Sequence, residues 1–291
     1  MIKLHQGLAL KPDGVYPICR SGNTRIVALM GSIGCGKTTL IAGIFQAFLE
    51  GSVAGYSFRR SDTLVAFEEK CFNSRTSSKA SVASMPRTSG QVGAEFYHLE
   101  VMKDADRSIH RLLLLDLSGE VYEGAMHIAE DAAKLTLLRN VDLLVQLIDG
   151  KQLSSGATRE KVYVDAKRLL RRLSEVKSIT PQTPLQLVVS KVDQLVGNGT
   201  SPEALEGVRA SVAARFTKES LMQGFEIREI AASPDPETTV PMRFGVADLF
   251  GSWLAEAEVD PLVLPRLKVS GERLMHRLGE VWLPERFEAR E

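Results

Sequence analysis

The sequence predicts an α/β protein, a three-layer α/β/α sandwich around a mostly parallel sheet with one antiparallel edge strand. Three observations lead there. Short hydrophobic runs bounded by turn residues alternate with longer amphipathic stretches along most of the chain. A glycine-rich turn from Gly31 to Thr38 separates the first such run from the first amphipathic stretch. Two further runs, Glu95 to Val101 and Arg111 to Leu117, flank the polar turn Lys103-Asp104-Ala105-Asp106, a connection short enough to make them an antiparallel hairpin.

In order along the chain, the first strand is Arg25 to Met30. A helix follows from Lys37 to about Glu50, with Leu40, Ile44, Phe45 and Phe48 at helical spacing and Gly51 as its stop. Thr63 to Phe72 suits one or two helical turns, whereas Ser74 to Ser89 is rich in Ser, Thr, Lys and Arg and reads as a mobile loop. After the hairpin comes a helix from about Glu123 to Leu138. The apolar run Val141 to Ile148 then reads as a central strand buried on both faces. A charged amphipathic helix covers Thr158 to Val176, and Pro184 precedes the strand Leu185 to Val189. Beyond a loop at Val196 to Pro202, a helix is expected over 203–220, a strand over Phe225 to Ala231 and a helix over Val246 to Ala257. This gives a main domain over 1–258 and a C-terminal extension over 259–291, which has a short helical pattern and no recognisable chemistry.

Composition narrows the partners. Lys plus Arg and Asp plus Glu are both 36, so no long-range attraction to nucleic acid or anionic lipid is expected. The basic cluster Lys167-Arg168-Arg171-Arg172 reads as a solvated helix face. No apolar run approaches the ~20 residues of a membrane helix, and no lipid-anchor signal is recognised, so a soluble protein without a membrane anchor is expected. Cys19, Cys35 and Cys71 are far apart, and the five histidines have no zinc spacing; a reducing cytoplasm fits.

Chemistry concentrates in three motifs. Gly31-Ser32-Ile33-Gly34-Cys35-Gly36-Lys37-Thr38 matches the P-loop pattern G-x-x-x-x-G-K-[ST] in full, between a strand and a helix. Its glycines let backbone N–H groups turn inward around phosphate, with Thr39 next in line at the helix start. The helix N-terminus adds partial positive charge. Lys37 brings a full charge to the β- and γ-phosphates, and the Thr38 hydroxyl can ligate Mg²⁺. Cys35 is a small filler in this turn, with redox sensitivity the alternative. The second motif, Asp116-Leu117-Ser118-Gly119, ends a strongly apolar strand. Its carboxylate can hold Mg²⁺ through water, and the Gly119 N–H can meet the γ-phosphate. In the third, Ser190-Lys191-Val192-Asp193, the Asp193 carboxylate can accept from guanine N1–H and the 2-amino group together, while the Lys191 stem packs over the base.

This ordered set resembles the G1, G3 and G4 motifs of the Ras-like GTPase superfamily over about residues 24–257. The resemblance implies GTP/GDP and Mg²⁺ as cofactors and a protein effector or partner GTPase. It also implies that Ala231-Ala232-Ser233 matches the segment whose backbone N–H reads guanine O6. A switch I threonine should lie between the first helix and the Asp116 strand. Thr88 is the choice, closing over Mg²⁺ and the γ-phosphate from an enlarged switch I region at 51–93, and Thr76 is the runner-up. Ser61-to-Glu68, Pro86-Arg87-Thr88 and His98-Leu99, with Asp116-to-Glu120, further resemble the bacterial double-GTPases, a group predicted to work beside a second GTPase in conflict or signalling systems.

Three residues depart from the Ras pattern. Glu120 stands where a glutamine commonly orients the attacking water, and its charge beside the γ-phosphate opposes that role. Ile33 replaces a P-loop glycine, and Ser190 stands where Asn or Thr is usual. The expectation is therefore a GTPase that is slow without a partner. A P-loop ATPase and a nucleotide-dependent interaction module with little hydrolysis remain the alternatives.

Overall fold

A computed structural model describes residues 7–79, 94–196, 201–216 and 224–255, the side chains of 73–79 excepted. Contacts divide the chain into two units, Met1–Leu254 and Ala255–Glu291, and the second lies outside the described residues beyond Ala255. The elements of the first are α1 (Pro12–Arg20), β1 (Thr24–Met30), α2 (Lys37–Glu50), β2 (Tyr56–Arg60), α3 (Leu64–Lys79), β3 (Ala94–Lys103), β4 (Ile109–Leu117), α4 (Gly119–His127), α5 (Ala129–Lys134), a 3-10 turn (Thr136–Asn140), β5 (Leu143–Asp149), α6 (Gly150–Ser154), α7 (Arg159–Glu175), β6 (Leu185–Ser190), α8 (Val192–Val196), α9 (Pro202–Phe216), β7 (Phe225–Glu229) and α10 (Val246–Leu254). Among the described residues no helix is long and apolar enough to cross a membrane.

The strands form one sheet in the order β2-β3-β4-β1-β5-β6-β7. From β4 to β7 all neighbours are parallel. The hairpin strand β3 is antiparallel to β4 from Ala94↔Leu117 to Met102↔Ile109, and β2 adds an antiparallel partner outside it. The sheet is thus mostly parallel with an antiparallel edge.

Side-chain alternation sends each strand's residues to two cores. Ala28 and Met30 of β1, with Leu113, Leu115 and Leu117 of β4, pack with α1, α4, α5, α7 and α9. Val27 and Leu29, with Leu112 and Leu114, face α2, α3 and α10. Asp116 continues the second set, so its carboxylate lies on the side of the sheet covered by α2 and α3. Trp253 is fully buried there, its indole N–H donating to Gln186 Oε1 at 2.8 Å.

Several elements differ from the expectation. The helix α1 uses Pro12 at its first position and Asp13 in its first turn, features that also make a turn. β2 is short and half-exposed, too brief for its Tyr56 and Phe58 alternation to stand out. The single helix expected from Glu123 to Leu138 is broken into α4, α5 and the 3-10 turn. It starts earlier because Ser118 caps it, accepting from the Val121 N–H at 3.2 Å, and it breaks where Ile128 is extended. α3 runs on through 74–79, part of the stretch read as a loop; Ala66, Phe67 and Cys71 are buried in the α2 core and start a helix that carries the polar residues onward. Residues 80–93, 197–200 and 217–223 lie outside the described residues, as does 256–291, and with them Thr88 and most of the C-terminal extension.

Candidate functional site

Because β4, β1, β5 and β6 are parallel, their C-terminal ends open onto one edge of the sheet. The chain leaves β1 for α2 on one face and leaves β4 for α4 on the other, so a crevice opens between these two turns. All three motifs lie along this edge.

The turn after β1 is built by its glycines. Gly34 and Gly36 have φ of 76° and 99°, a left-handed backbone that side chains resist. Gly36 is also the residue preceding α2, and no side chain caps that helix start. Beneath the turn the Cys35 side chain is fully buried. Burial pushes its thiol pKa up, with Lys37 pulling the other way, and the side chain packs as a filler beneath the turn. Lys37 is itself largely buried and folds back over the turn, its Nζ donating to the Gly31 carbonyl at 2.6 Å and the Ser32 carbonyl at 3.2 Å. Thr38 and Thr39 follow in the first turn of α2, both partly exposed.

Asp116 lies beside Leu29 in the β1–β4 register, close to the start of the turn. It is 1% exposed, and Lys70 of α3 donates to its Oδ2 at 3.3 Å. Burial pushes its carboxyl above the ordinary range, while Lys70 and then Lys37 draw it back. Among the described residues no three His, Cys, Asp or Glu side chains converge as a metal site. A cation at Asp116 and Thr38 would therefore complete its shell with water and phosphate oxygens, and this hard-oxygen donor set fits magnesium.

Gly119 opens α4 directly against the turn after β1. A Cβ there would stand 2.5 Å from Ile33 Cγ1 and 2.8 Å from both the Cα and the N of Ile33. Only glycine allows this approach, which brings the second motif onto the first. Gly119→Ala should push α4 off the turn and cost about 1–3 kcal/mol. A thermal melt alongside GTP titration checks it; unchanged stability and affinity would show that the contact is not required. Glu120, next in α4, is exposed.

The third motif is tied to the first through Ser190, whose buried hydroxyl donates to the Cys35 carbonyl at 2.6 Å and lies 3.2 Å from the Ile148 carbonyl. Lys191 is left-handed, with φ of 50°, and donates from Nζ to Asp149 Oδ2 at 2.9 Å. Asp193 sits in the first turn of α8, 1% exposed. Its Oδ2 accepts from the Asp235 N–H at 3.0 Å, and its Oδ1 is buried with no hydrogen-bond partner. A buried carboxylate oxygen without a donor is costly, so this oxygen is open to any hydrogen-bond donor that reaches it. Of the two alanines after β7, Ala231 commits its N–H to the Phe244 carbonyl at 3.0 Å.

Sequence reasoning missed Lys70, Asp149 and Asp235. Asp149 carries a local signal, an acidic residue and Gly150 ending an apolar strand. The other two act only through tertiary contact. Thr88 lies outside the described residues, and so does the side chain of Thr76.

No curated protein matches the chain. Among solved structures, it is similar to two of the S. cerevisiae Ski7 GTPase-like domain, one bound to GDP and inorganic phosphate and the other to GTP. Each is 13% identical with a TM-score of 0.45 and covers 84% of this chain. The match takes in 53% of those chains, about half their length. The model of the Double-GTPase 2 family matches residues 25–254, a span that holds all three motifs and nearly the whole sheet, and the chain belongs to that family.

Proposed function

We propose that this protein binds GTP with Mg²⁺ and hydrolyses it to GDP and phosphate, slowly when alone, as a conformational switch. The observation that carries the reading is Asp193: a buried carboxylate with an unpartnered oxygen, on the same sheet edge as a complete P-loop. Guanine offers N1–H and the 2-amino group to such an acceptor, whereas adenine presents no donor at N1. Family membership supports guanine-nucleotide binding independently.

In this reading Lys37 moves from the Gly31 and Ser32 carbonyls to the β- and γ-phosphates. The backbone N–H groups of the turn, Gly31 to Thr39, surround the phosphates. Thr38 and Asp116 would hold magnesium, which when bound neutralises phosphate charge. Gly119 donates its N–H to the γ-phosphate, and Thr88 closes from the switch I side. Ser190 keeps the base and phosphate ends in register, Lys191 covers the base, and Ala232 reads O6. Loss of the γ-phosphate would release the Thr88 and Gly119 segments. Residues 1–258 form the nucleotide-handling domain in this account, 259–291 an extension without an assigned role. We place the protein in the cytoplasm, beside a partner GTPase in a multi-gene conflict or signalling system.

Hydrolysis depends on positioning a water at the γ-phosphate. Glu120 can accept a proton from that water, but its charge repels the phosphate oxygens. Single-turnover assay of the purified protein with Mg²⁺ should give slow phosphate release, of the order of 10⁻³ s⁻¹ or below, as in GTPases lacking a supplied arginine. Release at tens per second would contradict the role given to Glu120. Tight binding with no release, alone or with candidate partners, would favour the interaction-module reading, which the exposed Glu120 at the first turn of α4 supports.

A further inference from the structure

Lys70 occupies a core-facing position of α3. Phe67 and Cys71, three residues before it and one after, are fully buried, and the Lys70 side chain is only 13% exposed. An ammonium drawn this far out of water is stabilised where acids compensate it. Two do so here. Its Nζ donates to Asp116 Oδ2 at 3.3 Å and lies 3.8 Å from Glu95 Oε2, with the Tyr97 ring centroid 5.3 Å away. The Tyr97 hydroxyl donates to Glu95 Oε2 at 2.8 Å and fixes that second acid. Glu95 and Asp116 are directly opposed across β3 and β4, so these carboxylates repel unless a cation stands between them.

We propose that Lys70 is a resident counter-cation of the metal site, which holds Asp116 before magnesium·nucleotide arrives and is displaced by it. This rests on the reading of Asp116 as the magnesium-side acid. A dication and an ammonium within a few ångströms of one buried carboxylate repel each other, and Mg²⁺ arrives with phosphate oxygens that complete its shell. Lys70 belongs to α3, in the chain between the P-loop helix and β3. Its displacement therefore links metal entry to movement of α3, without requiring α3 to touch the nucleotide. Lys37 is engaged by the carbonyls of its own turn and acts on Asp116 through its charge alone, whereas Lys70 makes the direct contact.

The test uses the full chain, a fluorescent GTP analogue and magnesium chloride. In wild type, Lys70→Met and Lys70→Arg, analogue binding is titrated with Mg²⁺ and measured again in EDTA. Lys70→Met should lower the Mg²⁺ concentration for half-maximal binding by about five- to tenfold. Lys70→Arg should stay near wild type, and binding in EDTA should change little in either variant. Should Lys70→Met fail to fold, amide exchange in wild type decides. Exchange over residues 64–72 should rise with GTP and Mg²⁺ relative to GTP in EDTA. An unchanged or raised Mg²⁺ requirement in Lys70→Met overturns the proposal. Weaker binding in EDTA does the same, since it makes Lys70 a phosphate ligand, as does exchange indifferent to Mg²⁺. If wild type binds no guanine nucleotide at any Mg²⁺ concentration, the GTP reading falls and this proposal with it. Intact binding with an unaltered Mg²⁺ dependence removes this proposal alone.

Discussion

Lys37→Ala should weaken GTP binding by at least about 100-fold while leaving the protein folded. Removing one partner of a buried, charge-assisted contact costs about 2–5 kcal/mol, and here the contact is made only once phosphate replaces the carbonyls of Gly31 and Ser32. Without nucleotide, the variant loses two hydrogen bonds to backbone oxygens at the rim of the turn. That is a loss of about 1–2 kcal/mol, or a few degrees in Tm for a domain of this size. Titration of a fluorescent GTP analogue beside a thermal melt separates the two effects. Wild-type affinity in Lys37→Ala would show that the turn does not carry phosphate. A collapse in Tm would show instead that Lys37 is mainly structural.

Asp193→Asn should reverse base preference without changing the fold. The variant keeps the shape and can still accept from the Asp235 N–H. Its amide then turns an NH₂ group toward guanine where the unpartnered Oδ1 stood. Two donors would face each other at the 2-amino group, and GTP affinity should fall by about 10²-fold or more. Xanthine carries oxygen at C2 and keeps N1–H, so it matches an asparagine at both points. Xanthosine triphosphate should therefore compete better than GTP for the variant and worse for wild type. Equal preference in both proteins would remove Asp193 from the base site.

Much of this architecture was legible in the sequence because it rests on local pattern. The strands β4, β5 and β6 carry largely apolar runs buried on both faces over 112–117, 143–149 and 185–190, and the P-loop needs only its own glycines and lysine. What escaped depends on contacts between distant segments. Nothing near Lys70 marks it as the partner of Asp116, since α3 and β4 meet only in the folded sheet. Ser118 illustrates a subtler failure: its capping contact with Val121 starts α4 at Gly119, four residues before the amphipathic pattern becomes visible. The close approach of Gly119 to Ile33 is likewise invisible in the sequence, which marks the glycine only for an N–H that can meet phosphate.

Base selection by Asp193 is read out by competition binding. With the wild-type protein, Mg²⁺ and a fluorescent GTP analogue, unlabelled GTP and GDP should displace the probe at least about 100-fold more effectively than ATP. Equal displacement by ATP, or a preference for it, would contradict the account: the P-loop would then serve an ATPase or a base-indifferent site, and Ser190-to-Asp193 would be only a turn.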